Sequence, residues 1–239
     1  MQNGLTAPRL VTAIAAVALA ATACGGSSSS TKATAQTPAP AMSAMSGMSA
    51  APASAGDPSA TASAELRAGL TLLFREHVNL TGFVVNTAVK NGLTSPNTTQ
   101  AVAALDQNTV DLGNAIGSVY GADAKTAFLK MWRDHIGFFV EYTKGLATKD
   151  NALVSKAQTE LAGYKKDFST FLAGATKLPA DAIASDLQGH VDTLESAIQA
   201  IVSNSPTAGA KIREAQGHMA GTAAVLAKGI AAEYPNKFS

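Results

Sequence analysis

Phe128-Leu-Lys-Met131-Trp132-Arg-Asp-His135-Ile-Gly-Phe138-Phe139-Val-Glu-Tyr142 decides the fold. Its apolar and aromatic residues recur at intervals of three and four, the period of one face of an α-helix. His135 falls on that face. Working outward, the same period repeats in five further segments. One carries Leu66, Leu70, Leu73, Phe74, His77, Thr81, Val84 and Ala88, and Asn91-Gly92 stops it. Another carries Val102, Leu105, Leu112, Ile116 and Val119 between the capping run Ser95-Pro96-Asn97-Thr98 and Gly121. After the break at Lys149-Asp150-Asn151 come Leu153, Leu161, Tyr164, Phe168, Phe171 and Leu172. Pro179, read as a first helical position, opens a segment with Ile183, Leu187, His190, Val191, Leu194, Ile198 and Ile201. The last follows Ser205-Pro206-Thr207 with Ile212, Met219, Thr222, Leu226 and Ile230, and Pro235 ends it. No alternating run argues for a strand. The expected fold is all-α, an antiparallel bundle of about six helices joined by short connections.

Composition sets the outer bounds. Of 239 residues, 46% are hydrophobic and 15% charged, with 18 lysines and arginines against 17 aspartates and glutamates. That balance excludes a strongly basic nucleic-acid binder. A single cysteine excludes both an internal disulfide framework and a cysteine zinc finger.

The chain begins as an export signal. Arg9 precedes an uncharged run, Leu10 to Ala23, shorter than the roughly 20 residues needed to span a bilayer. The run closes on Ala21-Thr22-Ala23-Cys24-Gly25-Gly26, which resembles the lipobox of bacterial lipoproteins, with Ala21 where leucine is more usual. The resemblance implies a signal peptide over 1–23 and lipidation of Cys24. A diacylglycerol brings two acyl chains, enough for stable anchoring. Removal of Arg9 leaves 17 positive and 17 negative residues, so attachment would rest on lipid. The expected location is the extracytoplasmic face of the cell membrane, and the Ala/Ser bias suits a high-GC Gram-positive envelope.

Residues 24–63 read as the lipidated cysteine and a disordered Ala/Ser/Pro/Met tether, because they lack large apolar side chains to offset ordering entropy. Within it, Met42, Met45 and Met48 place three soft thioethers within seven residues, a pattern suited to Cu(I), although drift in low-complexity sequence produces the same pattern. Residues 64–239 form the helical domain.

Three degenerate helical hairpins are suggested by Arg75-Glu76-His77-Val78, Arg133-Asp134-His135-Ile136 and Gln188-Gly189-His190-Val191. A titratable residue follows each histidine in the next helix: Asp111, Asp167 and His218. The four histidines lie on four different helices, three on apolar faces and His218 at the edge of one. Each buried imidazole needs a partner or a metal. The candidate ligands are therefore His77, His135, His190, His218 and Asp111. Glu76, Asp134, Asn108, Asp167 and Glu214 are candidates to hydrogen bond and orient them. Asp186 and Glu214 each precede a histidine by four and share its face. Tyr120, Tyr142 and Tyr164 are candidate phenol donors to the same network.

Imidazole suits copper, zinc, iron and nickel, and the methionines tilt the choice to copper. No Glu-x-x-His pair, His-Glu-x-x-His, Gly-x-Ser-x-Gly or phosphate-binding glycine loop occurs, so a binding protein is favoured over an enzyme. The alternative is a non-catalytic envelope scaffold or interaction protein whose histidines form a buried hydrogen-bond network. The sequence does not specify a protein partner.

Glu76-His77-Val78, Asn108, Asp111-Leu112-Gly113-Asn114-Ala115-Ile116, Tyr120-Gly121, Asp134-His135-Ile136 and Tyr234-Pro235-Asn236-Lys237-Phe238 resemble a family of uncharacterised helical bacterial envelope proteins. The likeness covers most of 66–238. It implies that the His/Asp pattern is a family feature, and it implies no activity. Gly189 and Gly217 stand where that family has a charged or larger residue before the histidine.

Overall fold

The computed structural model describes residues 58–239. The signal peptide, Cys24 and the methionines at 42, 45 and 48 lie outside the described residues. A 3-10 turn, Pro58–Ala60, leads into six long helices: α1 (Ala62–Asn91), α2 (Pro96–Tyr120), α3 (Ala122–Thr148), α4 (Asn151–Thr176), α5 (Ala180–Val202) and α6 (Ala208–Glu233). A short α7 (Pro235–Phe238) follows. The all-α bundle is as expected. α1 starts before residue 64, at Ala62, where Thr61 caps it by accepting from the Ala64 amide. Ser95 caps α2 in the same way, with Pro96 at its first position, and Asp150 caps α4 through the Leu153 amide. Pro179 is the residue before α5, not its first. Pro235 starts α7, with only Tyr234 between it and the end of α6.

The helices form a closed ring in chain order, with α1 packed against both α2 and α6. The odd-numbered helices also touch one another inside the ring. Each connection is short, so successive helices run antiparallel. The pairs α1/α2, α3/α4 and α5/α6 are antiparallel neighbours within this ring, as are α2/α3, α4/α5 and α1/α6. One apolar cluster, built around Phe74, Phe128, Trp132, Phe168 and Met219, fills one end. Another, around Phe139, Tyr142, Leu161, Leu194 and Ile198, fills the other. Val102, read as a core position, is 44% exposed; Ala101 and Leu105 take the inward face of α2 instead. Among the described residues no helix is long and apolar enough to cross a membrane.

The α3–α4 corner depends on a missing side chain. A Cβ at Gly145 would lie 2.9 Å from the Val154 amide nitrogen and 3.1 Å from the Asp150 carbonyl. Those are backbone atoms of the first turn of α4, which cannot rotate away. Gly145→Ala is expected to cost about 1–3 kcal/mol, or several degrees in Tm for a domain of this size. An unchanged melting curve would contradict this packing.

Candidate metal centre

His77, His135 and His190 meet at mid-height of the bundle, between the two apolar clusters. Each comes from the first helix of one hairpin, which is why the repeated histidine was informative. They are 1%, 1% and 5% exposed. One ring nitrogen from each lies within 4.8 Å of the others. The His77 ring centroid is 5.5 Å from that of His135 and 6.3 Å from that of His190. Metal–imidazole bonds of about 2.0–2.1 Å bring ligand nitrogens to roughly 3.4 Å apart. Closing the triad on an ion therefore takes a contraction of at most about 1.4 Å between nitrogens, within reach of small side-chain rotations.

Aromatic rings wall the triad. Trp132 lies one turn before His135 on α3, and its ring is 4.6 Å from His135 and 4.9 Å from His77. Tyr164 of α4 stacks on His135 at 4.9 Å and 18°. Phe139 sits edge-on to both His135 and His190. Sequence reasoning placed Trp132 in the core and Tyr164 among hydrogen-bond donors. Their ring contacts with His135 were not anticipated, although Trp132 lies three residues before it on the same face.

Four of the six nitrogens in this triad, namely Nδ1 of all three residues and Nε2 of His190, have no hydrogen-bond partner among the described residues. Leaving a buried polar group unpaired costs about 1–3 kcal/mol. Burial holds the imidazoles neutral. It lowers the His77 pKa to about 4, with the neighbouring Asn108 side chain opposing the shift. That opposition involves no well-formed bond, since Asn108 Oδ1 has no donor. Burial, then the proximity of His77 and His218, lowers His190 to about 3. His135 lies well below its ordinary value for the same reason, reinforced by His77 and His190, with the Trp132 and Met131 carbonyls opposing.

The remaining candidates fall elsewhere. Asp111 is at the surface, accepting from Gln107, and is no ligand to this triad. Asp167 is exposed, Asp134 pairs with Lys130, and Glu214 pairs with Lys211. Each sits on the outward side of its helix, so none orients a triad imidazole. Asn108 is buried, but its amide donates to the Leu73 carbonyl and to Glu76 Oε2. Glu76 is thereby tied to α2 rather than to His77. Tyr142 pairs with Gln199, away from the triad.

His218 is the clearest departure. Its Nε2 lies 2.9 Å from the Asp186 carbonyl oxygen and 3.7 Å from Asp186 Oδ1, while Thr222 donates to Asp186 Oδ2. Asp186 therefore serves α6 across the interface, and not His190 on its own helix. The ring rests on Gly189, where a Cβ would meet its Cε1 at 2.7 Å. That is a physical reason for glycine beside His190. His218→Ala is expected to leave ion stoichiometry unchanged, and Gly189→Ala to shift the His218 ring without loss of metal. Loss of the ion from His218→Ala, measured by elemental analysis, would instead make it a fourth ligand.

No family model, curated protein or solved structure matches this chain. The functional reading therefore rests on the site.

Proposed function

We propose that this chain is a membrane-anchored extracytoplasmic lipoprotein whose helical bundle binds a metal ion, copper in preference, through His77, His135 and His190. One observation carries the metal reading: three interior imidazoles converge from three helices, and most of their nitrogens have no partner among the described residues. A hydrogen-bond network would use those nitrogens, so this pattern favours the metal over the scaffold alternative.

Copper is favoured by charge. Three neutral imidazoles supply no negative charge, and the carboxylates considered above are exposed or serve other partners. The cost of burying an ion rises with the square of its charge, so a monovalent ion is easiest to hold in these aromatic surroundings. Cu(I) combines that charge with affinity for imidazole. The lipobox-like Ala21-Thr22-Ala23-Cys24 supports the anchor, and Met42, Met45 and Met48 support capture of Cu(I) by the tether.

The sole tryptophan supplies a readout, being in ring contact with two of the three ligands. Anaerobic titration with Cu(I) is expected to quench Trp132 fluorescence to an endpoint at one equivalent. Elemental mass spectrometry after desalting should find one copper per chain. A protein that retains no copper, zinc, iron or manganese would refute the reading. For the anchor, Cys24→Ser should move the protein from the membrane fraction to the soluble one.

A further inference from the structure

A cavity of about 20 Å³ adjoins the triad on the side of His77 and His135, with Thr81, Leu105, Val140 and Thr143 among its walls. A site holding one water needs roughly 10–15 Å³ on this measure, so the cavity admits one water and little more. Its lining is almost wholly apolar apart from the two threonines and the two histidines. Thr81 Oγ1 donates to the His77 carbonyl at 2.8 Å, and Thr143 Oγ1 donates to the Phe139 carbonyl at 2.7 Å. Each hydroxyl proton is thus committed, and what the threonines have left to offer is lone pairs. His77 and His135, each with an Nδ1 that has no partner among the described residues, are among the residues that line this cavity.

From this geometry we propose that the cavity is the fourth coordination position of the triad and takes a single oxygen donor, water or hydroxide. The proposal rests on the metal reading above. Three protein ligands plus one exogenous oxygen is the arrangement of an open metal site. The chemistry of the walls selects the occupant. It must be one heavy atom in size, and it must bring a proton to donate to a threonine oxygen, which water and hydroxide do. A dication adds a requirement, because the triad contributes no negative charge. Bound water then loses a proton to solvent, leaving hydroxide on the ion, and the dication is partly neutralised where it is buried. Larger anions such as azide are excluded by length and have no proton to donate.

Val140, 41% exposed, is the lining residue most open to solvent, the others being buried or half-buried. The test uses the full chain loaded with Cu(II), with azide as the probe. Wild-type protein is expected to show no azide-to-copper charge-transfer band, and its visible spectrum should change with a single ionisation as pH is raised. Val140→Ala, with the wall opened, should acquire the azide band while keeping one copper per chain. Azide binding to wild type as strongly as to the variant would overturn the assignment. So would Cu(II) being lost from a protein that keeps Cu(I), since no fourth donor would then be accommodating the dication. Failure to retain copper in either oxidation state overturns the metal reading itself, and is distinguishable from both.

Discussion

Replacing His190 with leucine is expected to abolish stoichiometric metal retention and, at the same time, to raise the melting temperature of the metal-free protein. Both ring nitrogens of His190 are buried without partners. Leucine has similar volume and no polar atom, so the substitution removes an unpaired-group cost of about 1–3 kcal/mol and adds apolar contact with Phe139. The gain corresponds to a few degrees in Tm, at about 2–4 °C per kcal/mol for a domain of this size. Apparent binding free energies of buried structural ions run to about 10–16 kcal/mol. Losing one of three protein ligands then costs on the order of a third of that, roughly a 10²–10⁴-fold fall in affinity. Opposite signs in binding and stability mark a residue kept for its ligand. If the histidines were instead a structural network, His190→Leu would lower Tm, and metal content would not depend on it.

The second large effect is acid lability that metal suppresses. An unfolded histidine titrates at 6.5, whereas folded His77 and His190 titrate at about 4 and about 3, and His135 well below 6.5. Below pH 6.5 the unfolded chain therefore binds more protons than the folded one, so stability falls as pH falls, until the folded values are reached. At pH 5 the loss is roughly 2 kcal/mol each for His77 and His190, about 4 kcal/mol together, and His135 adds to it in the same direction. That is comparable with the whole stability of many domains, about 5–15 kcal/mol. Denaturant unfolding of the metal-free protein should show this decline between pH 6.5 and 5. A triple His77→Leu, His135→Leu, His190→Leu variant should flatten it. An ion on the triad stabilises the folded state by mass action and shifts the decline to lower pH. Because the folded imidazoles are already neutral, metal affinity should be level from pH 7.5 to 5.5. A site of exposed histidines would weaken over that range.

Most of the architecture was legible because it is written in periodicity. Leu70, Phe74, His77 and Val78, or Phe128, Trp132, His135 and Phe139, define a face without knowledge of any neighbour. The capping run at Ser95, the break at Asp150 and the stops at Gly92 and Gly121 marked the ends. Three of the four histidines were legible for the same reason. The rest depends on which helices adjoin. His218 precedes Met219 by one residue, about 100° round the helix, and only the packing of α6 against α5 puts its ring on Gly189 at the rim. Asp111 lies three residues after buried Asn108, yet falls on the solvent side of that edge. Periodicity does not resolve an edge residue. The pairing of Asp186 with α6, the Trp132 and Tyr164 walls and the small cavity are likewise tertiary, and spacing within one helix does not carry them.

Copper K-edge X-ray absorption on the Cu(I)-loaded full chain tests the central claim most directly. The predicted result is a shell of three nitrogens at about 2 Å with the outer-shell scattering of imidazole, lost in the triple histidine variant. A shell of sulfur scatterers, or a nitrogen shell that persists when His77, His135 and His190 are replaced, would contradict it.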